Sequence, residues 1–494
     1  MPCYKSGGCG VYENRSCDER PASRSDYAKK DKDKSSKLTI ELPDSVRLLL
    51  NKLHNAGYEA YVVGGCVRDS LLGLTPNDWD ICTSATPDEV KACFAEFKSI
   101  DTGLKHGTIT VLVDDVPYEV TTFRKDGFYS DFRRPNSVTF VSDLKEDLSR
   151  RDFTINAMAY SEETGLIDYF GGKDDLTNKY LRCVGDPMKR FDEDALRILR
   201  ALRFAACYAL FIVPGTATAI RESCEKLQHI AAERIRVEMT KLLMGSAALG
   251  ILNGYSDVVA TVIPELWVCI GFNQNNKWHK YNVYEHIAHA VANYKGDDPA
   301  IKWALLFHDI GKPLCYTADK NGGHFYGHPA VSARLATEIV NRLRFDNKTA
   351  DAILELVEHH DIQLAPTYRA ARRMLNALGE ERCWQLLQVK RADALAHAPR
   401  AQEESLPKVK QMSQILKEVL AAEQCFSLKD LAVTGKDLME LGISQGPMVG
   451  QTLHHLLTCV MDDRIPNQKN RLLEEAQAFW KCHSHETQSA SPQV

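Results

Sequence analysis

Asp78-Trp79-Asp80, a short way beyond Gly64-Gly65, is the stretch of this chain best suited to phosphate chemistry. On a strand, residues i and i+2 point to one side, so Asp78 and Asp80 share a face while Trp79 and Ile81 turn behind it. Carboxylates that close repel each other unless a cation lies between them. Hard oxygen ligands of this kind suit Mg²⁺, which completes its shell with substrate phosphates. A pair of such ions can activate an attacking hydroxyl and stabilise a leaving pyrophosphate. The Gly64-Gly65 turn lets backbone N–H groups approach a triphosphate at a helix start. An isolated Asp-x-Asp is common in solvated loops; the glycine turn upstream is what tilts the reading toward a metal. Glu119, on the returning strand of an expected hairpin, is either the third carboxylate of the site or an ordinary exposed glutamate.

A second set is rich in histidine. Eight of the sixteen histidines fall within residues 279–360: His279, His286, His289, His308, His324, His328, His359 and His360. His308-Asp309 sits in WALLFHDIGKP, an apolar helix ending in Gly-Lys-Pro, where a buried charged pair needs a reason. Imidazole and carboxylate together suit Mn²⁺, Fe²⁺, Co²⁺ or Ni²⁺. A single helical histidine is ordinarily a packed residue, and His279 and His289 read that way.

The elements that must position these groups follow from periodicity. Residues 44–56 have helical apolar spacing, EAYVVGG reads as a strand running into a turn, VRDSLLGL as a short helix, and NDWDICTSA as a second strand. DEVKACFAEF is helical, with Thr86-Pro87-Asp88 as its start signal. HGTITVLVDDVPYEVTTFR has two branched runs about an Asp-Asp turn, which predicts a hairpin. From DPMKRFDEDALRILRALRFAA to about residue 480 nearly every segment has helical period.

Length and composition bound the class. A chain of 494 residues exceeds one hydrophobic core, so three or four modules are expected. No apolar run is long enough for a membrane span, and the polar N-terminus lacks a signal-peptide core. Fifteen scattered cysteines without any Cys-x-x-Cys argue for reduced thiols in the cytoplasm rather than disulfides or a zinc ribbon. The net charge of −5 does not announce a nucleic-acid binder, so any basic surface must come from sorting charges onto faces.

GGCVRDSLLG, then DWD, then RRDFTINAMAY (150–160), IDYFGGKDDL and EDALRILRALRF follow one another in the order found in bacterial-type CCA-adding tRNA nucleotidyltransferases and their poly(A) polymerase relatives. The resemblance runs from about Tyr61 to Leu243. It implies that Asp78 and Asp80 bind Mg²⁺ with Glu119 as third carboxylate. It further implies that Gly64, Gly65, Arg68, Arg150, Arg151, Asp152, Asn156, Arg200 and Arg203 surround the incoming nucleotide. Arginine suits phosphate because its planar fork donates two parallel charged bonds; Asp152 could instead cap the segment that follows it.

Asp194 and Arg197 resemble the nucleotide-selecting motif. On a helix they are i and i+3 neighbours and could present an acceptor beside a donor. Cytosine and adenine pair an amino donor with a ring-nitrogen acceptor on that edge, whereas uracil and guanine reverse the order, so a fixed Asp/Arg pair accepts C and A. The segment 126–140, with Arg133-Arg134-Pro135, resembles the flexible loop of complete CCA-adding enzymes. ERIRVEMTKLL (233–243) resembles the helix closing the neck.

The histidine-rich part resembles HD-domain metal phosphohydrolases. In that order His286, His308, Asp309 and Asp361 are the implied ligands of a transition metal, and His328 and His360 could serve a second ion. Residues 430–467 resemble the helical tail of some CCA-adding enzymes, where Lys436 could cradle RNA phosphate or the segment could simply pack as a helical hairpin.

The expected fold is α+β: a small mixed-sheet nucleotidyltransferase head (38–172), an all-helical neck (173–270), an HD-type body (271–400) and a helical tail (401–481), between disordered ends at 1–37 and 482–494. The expected function is addition of C, C and A to tRNA from CTP and ATP by a two-metal mechanism, with neither membrane nor DNA as partner. A poly(A) polymerase, and an HD phosphohydrolase with a non-catalytic head, are the alternatives.

Overall fold

The computed structural model describes residues 39–103, 107–127, 138–320, 322–422 and 424–488. The expected N-terminal tail and Arg133-Arg134-Pro135 lie outside the described residues.

Helix α1 (Asp44–Asn55) buries Val46, Leu49, Leu50 and Leu53 at helical spacing. Strand β1 (Ala60–Val63) runs into Gly64, and α2 (Gly65–Leu71) follows. Strand β2 is shorter than the sequence suggests, covering only Ile81–Thr83. Asp78 and Asp80 therefore lie on the extended approach to the strand rather than inside it. The ladder still reaches back one residue, because the Val63 N–H donates to the Asp80 carbonyl at 3.0 Å.

Helix α3 (Pro87–Cys93) starts at a capping box between Thr86 and Glu89. Strands β3 (Lys98–Gly103), β4 (Thr108–Val113) and β5 (Val116–Thr122) form an antiparallel meander. The expected Asp114-Asp115 turn joins β4 to β5, with φ of 52° and 62°, the left-handed geometry a two-residue hairpin loop requires. Helix α4 (Leu144–Ser149) precedes β6 (Met158–Ser161) and β7 (Gly165–Asp168).

These strands make one seven-stranded sheet in the order β3-β4-β5-β2-β1-β6-β7, with β2 and β5 parallel and the other neighbours antiparallel. One face packs Val62, Ile81 and Val120 on Leu49 of α1 and Phe94 after α3; the other packs Tyr61, Cys82 and Phe123 on Leu144 and Leu148 of α4. Burying both faces fixes which side of the sheet each alternate residue occupies.

Beyond the sheet the chain is helical apart from short strand pairs. The helices used below are α5 (Pro187–Glu193), α6 (Leu196–Tyr208), α7 (Ala232–Met244), α8 (Val283–Asn293), α9 (Pro299–Phe307), α10 (His328–Arg342), α11 (Asn347–His359), α12 (Tyr368–Ala396) and α13 (Pro399–Ala421). Helix α12 breaks at Gly379, whose φ of 73° only glycine adopts readily. One continuous apolar cluster runs from Ile40 through Trp303 to Val419.

Helices α14 (Pro447–Met461) and α15 (Lys469–Gln488) close over a separate small core that includes Leu438, Leu456, Leu472 and Ala476. The last helix runs to Gln488, so the segment expected to be disordered from 482 begins inside a helix. Lys436 is exposed on a short helix, Gly435–Glu440, capped by Thr434. Among the described residues every cysteine is a free thiol, and no helix is long and apolar enough to cross a membrane.

Candidate active site and histidine cluster

The sheet brings the three carboxylates together by register. Ile81 of β2 pairs with Val120 of β5, so Asp80 and Glu119 occupy the next rung side by side. Asp78 and Asp80, both exposed, lie two residues apart on the approach to β2, and Asp80 lines the pocket described below. The electrostatics follow from that proximity. The Asp80 carboxyl is raised by desolvation in the crowded pocket wall and by Asp78, while Arg151 opposes the rise. Glu119 is raised by desolvation, then by Asp80 and Asp78. All three therefore repel one another, and a divalent cation relieves that repulsion.

Asp80 lines a cavity of about 490 Å³ that also takes in Gly64, Gly65, Arg68, Arg150, Arg151, Asp152, Asn156, Asp194, Arg197, Arg200 and Arg203. Nucleotide-sized, it puts carboxylates at one edge and guanidiniums along its wall. Gly64 has φ of 82°, and a Cβ there would lie 2.7 Å from the Arg151 Nη1. A side chain at this turn would push the arginine off the pocket.

Much of the polar wall is braced by the protein itself. Arg68 is buried, donating to Asn156 Oδ1 at 2.6 Å, Tyr208 Oη at 2.7 Å and Asp69 Oδ1 at 2.9 Å. Asp152 accepts from the Phe153 N–H at 2.8 Å and the Asn156 amide at 3.1 Å, and from Arg200 Nε at 2.8 Å. Burial alone would raise the Asp152 carboxyl, but Arg200, Asn156 and Arg197 overcome it and hold the pKa at about 2. Arg203 pairs with Glu238 of α7 at 2.6 Å and lies 3.8 Å over the Phe204 ring. Fully buried Asp147 accepts from Arg150 at 2.7 Å and lies 3.7 Å from Arg151. Sequence reading missed Asp147, although its i+3 and i+4 spacing to the two arginines was a usable signal.

Asp194 and Arg197 both reach the pocket, but not as neighbours on one helix. Asp194 sits in the break between α5 and α6 with φ of −143°, and its carboxylate caps the Leu196 N–H at 3.0 Å. Its ion-pair partner is Arg234 of α7 at 2.9 Å. Arg197 instead holds Glu193 at 2.7 Å and the carbonyls of Arg190 and Arg150 at 3.2 and 3.0 Å. An aspartate before an apolar run favours the N-cap over the helix interior, which is why the expected continuous helix breaks here.

The second constellation is buried. His286, His308, Asp309, His328 and His360 converge from α8, the end of α9, the start of α10 and the end of α11. Asp309 Oδ2 lies 3.2 Å from the Nε2 of both His286 and His308, and Oδ1 lies 3.2 and 3.6 Å from the Nε2 of His328 and His360. Three rings have Nδ1 close to a backbone carbonyl: His308 on Leu305 at 2.7 Å, His328 on Phe325 at 2.9 Å and His360 on Val357 at 2.7 Å. With Nδ1 donating outward, each Nε2 presents its lone pair to the centre, the arrangement a metal-ligating histidine needs. Nε2 atoms face each other at 3.3 Å (His286, His308) and 3.1 Å (His328, His360), contacts that either a shared proton or a bound cation bridges, and the Lys312 ammonium lies 2.7 Å from Asp309 Oδ2. With protons alone as the bridge, burial would lower His308, yet Asp309 and Asp393 push it up to about 10.

One expected ligand lies apart from the others. Asp361 is exposed and lines an adjoining cavity of about 470 Å³ with Trp278, Lys390 and His397. The carboxylate that closes the cluster is Asp393 of α12, 2.9 Å from His286 Nε2 and 3.5 Å from His308 Nε2. The chain turns outward after His360, carrying Asp361 to the surface. The signal for Asp393 was its i,i+4 spacing to His397, whose ring lies 4.8 Å from that of His286. The other histidines of the run are peripheral: His289 stacks on Tyr281, His324 pairs with Asp319, and half-buried His359 has Nδ1 2.9 Å from the Glu355 carbonyl. His279 packs edge-on against His286.

Comparison with known proteins identifies the family. Residues 60–182 match the poly A polymerase head domain, 210–254 the probable RNA and SrmB-binding site of polymerase A, and 330–476 the tRNA nucleotidyltransferase domain 2. The CCA-adding enzyme of Levilactobacillus brevis is 37% identical over 440 residues, covering 87% of this chain and 96% of the relative. That of Limosilactobacillus fermentum is 35% identical, covering 89% and 98%. Among solved structures, the Bacillus stearothermophilus CCA-adding enzyme in complex with CTP is 31% identical with a TM-score of 0.67, covering 89% of this chain and 98% of that one. The Thermotoga maritima CCA-adding enzyme complexed with tRNA, 21% identical with a TM-score of 0.57, shares the fold. With the head's carboxylates beside an arginine-lined pocket and these full-length likenesses, the chain belongs to the family of CCA-adding tRNA nucleotidyltransferases.

Proposed function

We propose that this chain extends the 3′ end of tRNA with C, C and A, using CTP and ATP and releasing pyrophosphate. The observation that carries the reading is one pocket in which Asp80, beside Asp78 and Glu119, faces a wall running from Arg151 to Arg203. Family members generally use divalent metals; Mg²⁺ held by Asp78, Asp80 and Glu119 would supply charge neutralisation at the α-phosphate and a more acidic attacking hydroxyl. The RNA 3′-hydroxyl attacks the α-phosphorus, the bond to the β-phosphate oxygen breaks, and pyrophosphate leaves.

In this reading Gly64 and Gly65 make room for the triphosphate, and Arg150, Arg151, Arg200 and Arg203 balance its charge. Arg68, Asn156 and Asp152 keep that wall rigid. Asp194 and Arg197, each anchored by other partners, present an acceptor and a donor to the pairing edge of C or A, with Arg234 orienting Asp194. The tRNA is held by shape and phosphates rather than base sequence. The division into head (38–172), neck (173–270), body (271–400) and tail (401–481), and a cytoplasmic site of action, belong to the same proposal.

The test is to incubate a tRNA lacking CCA with CTP alone, ATP alone and both, and to sequence the ends. Two C residues with CTP and a complete CCA with both are expected. Extension with ATP alone and indifference to CTP would instead mark a poly(A) polymerase.

A second reading rests on the buried imidazoles. His286, His308, Asp309 and Asp393 are proposed to hold one transition-metal ion and His328 and His360, sharing Asp309, a second; such ions supply an activated water for phosphoester hydrolysis. The adjoining cavity gives a substrate access to Asp393. Loss of p-nitrophenyl phosphate hydrolysis in Asp309→Ala, with nucleotide addition intact, is the expected outcome.

A further inference from the structure

The tail closes over a core of its own, and that core is small. Cys425, Leu431, Val433, Leu438, Ile443 and six residues of α14 and α15 supply its buried side chains, apart from the large cluster of the rest of the molecule. Small cores of this kind gain most from a covalent or metal cross-link. Across the α14–α15 seam three ligand-type side chains meet. His455 and Cys459 are i and i+4 on α14, and so share one face. Glu475 reaches them from α15: its Oε1 lies 2.8 Å from His455 Nε2, and Cys459 Sγ lies 3.6 Å from the same nitrogen. All three ligand atoms lie within 4.8 Å of one another.

A histidine and a glutamate across two helices make an ordinary ion pair. A buried thiol aimed at the same nitrogen does not belong to that pattern. The His455 ring is also fixed, stacked on Phe479 with centroids 4.1 Å apart and planes 19° from parallel. Sulfur, imidazole nitrogen and carboxylate oxygen together make a borderline-soft set that suits tetrahedral Zn²⁺. We propose that His455, Cys459 and Glu475 form a structural Zn²⁺ site that ties α14 to α15, with water as the fourth ligand. The site is independent of both the head carboxylates and the histidine cluster. Binding forms the Zn–S bond and releases the thiol proton to solvent.

Cobalt substitution tests it, because only thiolate-bound Co²⁺ gives an intense sulfur-to-metal charge-transfer band in the near ultraviolet. Co²⁺ titrated into the full metal-free chain should produce that band with the amplitude of one thiolate-bound ion per chain, whether before or after the histidine cluster fills, and Zn²⁺ should displace it. The band should persist in Asp309→Ala and vanish in Cys459→Ser and His455→Ala. If Cys459→Ser fails to fold by circular dichroism, Glu475→Gln carries the test, with metal binding at least about tenfold weaker expected. Absence of the band at saturating Co²⁺, its survival in Cys459→Ser, or unchanged affinity in Glu475→Gln would each overturn the site.

Discussion

The two constellations of this molecule solve opposite problems. In the head, carboxylates stand at the rim of an open cavity and arginines line its wall, so charge of both signs stays near water until a substrate enters. In the body, four imidazoles and two carboxylates are withdrawn into the interior, where uncompensated charge is costly. The difference shows in the bracing. Head arginines are tied to Asp147, Asp152 and Glu238, ion pairs that hold direction while leaving guanidinium donors for a ligand. Body histidines are tied through Nδ1 to carbonyls, which leaves one inward lone pair each. A substrate site is built to be emptied on every turnover, whereas the ion site proposed for the body would stay full.

Substitutions can break this contrast. The largest effect is expected from Asp80→Ala, which removes a rim carboxylate: nucleotide addition to tRNA lacking CCA should fall by more than about a hundredfold, with the melting transition little changed. Asp309→Ala should do the reverse, keeping addition and losing bound transition metal by elemental analysis. If Asp80→Ala instead melts the protein while Asp309→Ala stops addition, the assignment of roles is wrong.

Next comes the brace behind the head wall. Asp152→Asn removes the nearer of Arg200's two acidic partners, leaving Glu238 at 4.0 Å, and should cost about 2–3 kcal/mol at neutral pH in urea unfolding. The Asp152 carboxyl sits at about 2 in the fold, against roughly 4 unfolded. Its folded pKa is depressed, so its contribution is fully present above about pH 4 and disappears as pH falls through about 2. The deficit of the variant should therefore be constant from pH 7 to about 4.5 and narrow below that. A deficit independent of pH down to about 2 would mean the carboxylate's charge is irrelevant.

A subtler effect is expected at the reading pair. Arg234→Ala leaves Asp194 held only by its cap on the Leu196 N–H, so discrimination of CTP over UTP should drop roughly tenfold while CTP turnover falls less. Unchanged fidelity would remove Asp194 from base selection. The smallest effect separates the two candidate body ligands: Asp361→Ala should leave metal content as in the parent chain, and Asp393→Ala should lower it. The opposite result would restore Asp361 to the cluster.

Local chemistry was readable from the chain alone wherever function and secondary structure are set by near neighbours. The Gly64-Gly65 turn announced itself because glycine geometry acts over a few residues. So did the Asp114-Asp115 hairpin and the Thr86 cap. Asp78 and Asp80 stood out as near carboxylates, although the strand expected to carry them begins only at Ile81. His308-Asp309 was legible because a charged pair in an apolar helix is conspicuous, and the order of motifs from Gly64 to Phe204 indicated the family. Three-dimensional packing decided the rest. That Asp194 answers Arg234 rather than Arg197, and that Asp393 rather than Asp361 closes the histidine cluster, depend on which helices lie against one another. So does the meeting of His455 and Cys459 with Glu475. Packing brings distant residues within a few ångströms through burial of apolar faces, and burial is indifferent to sequence separation. A spacing rule sees only one element at a time.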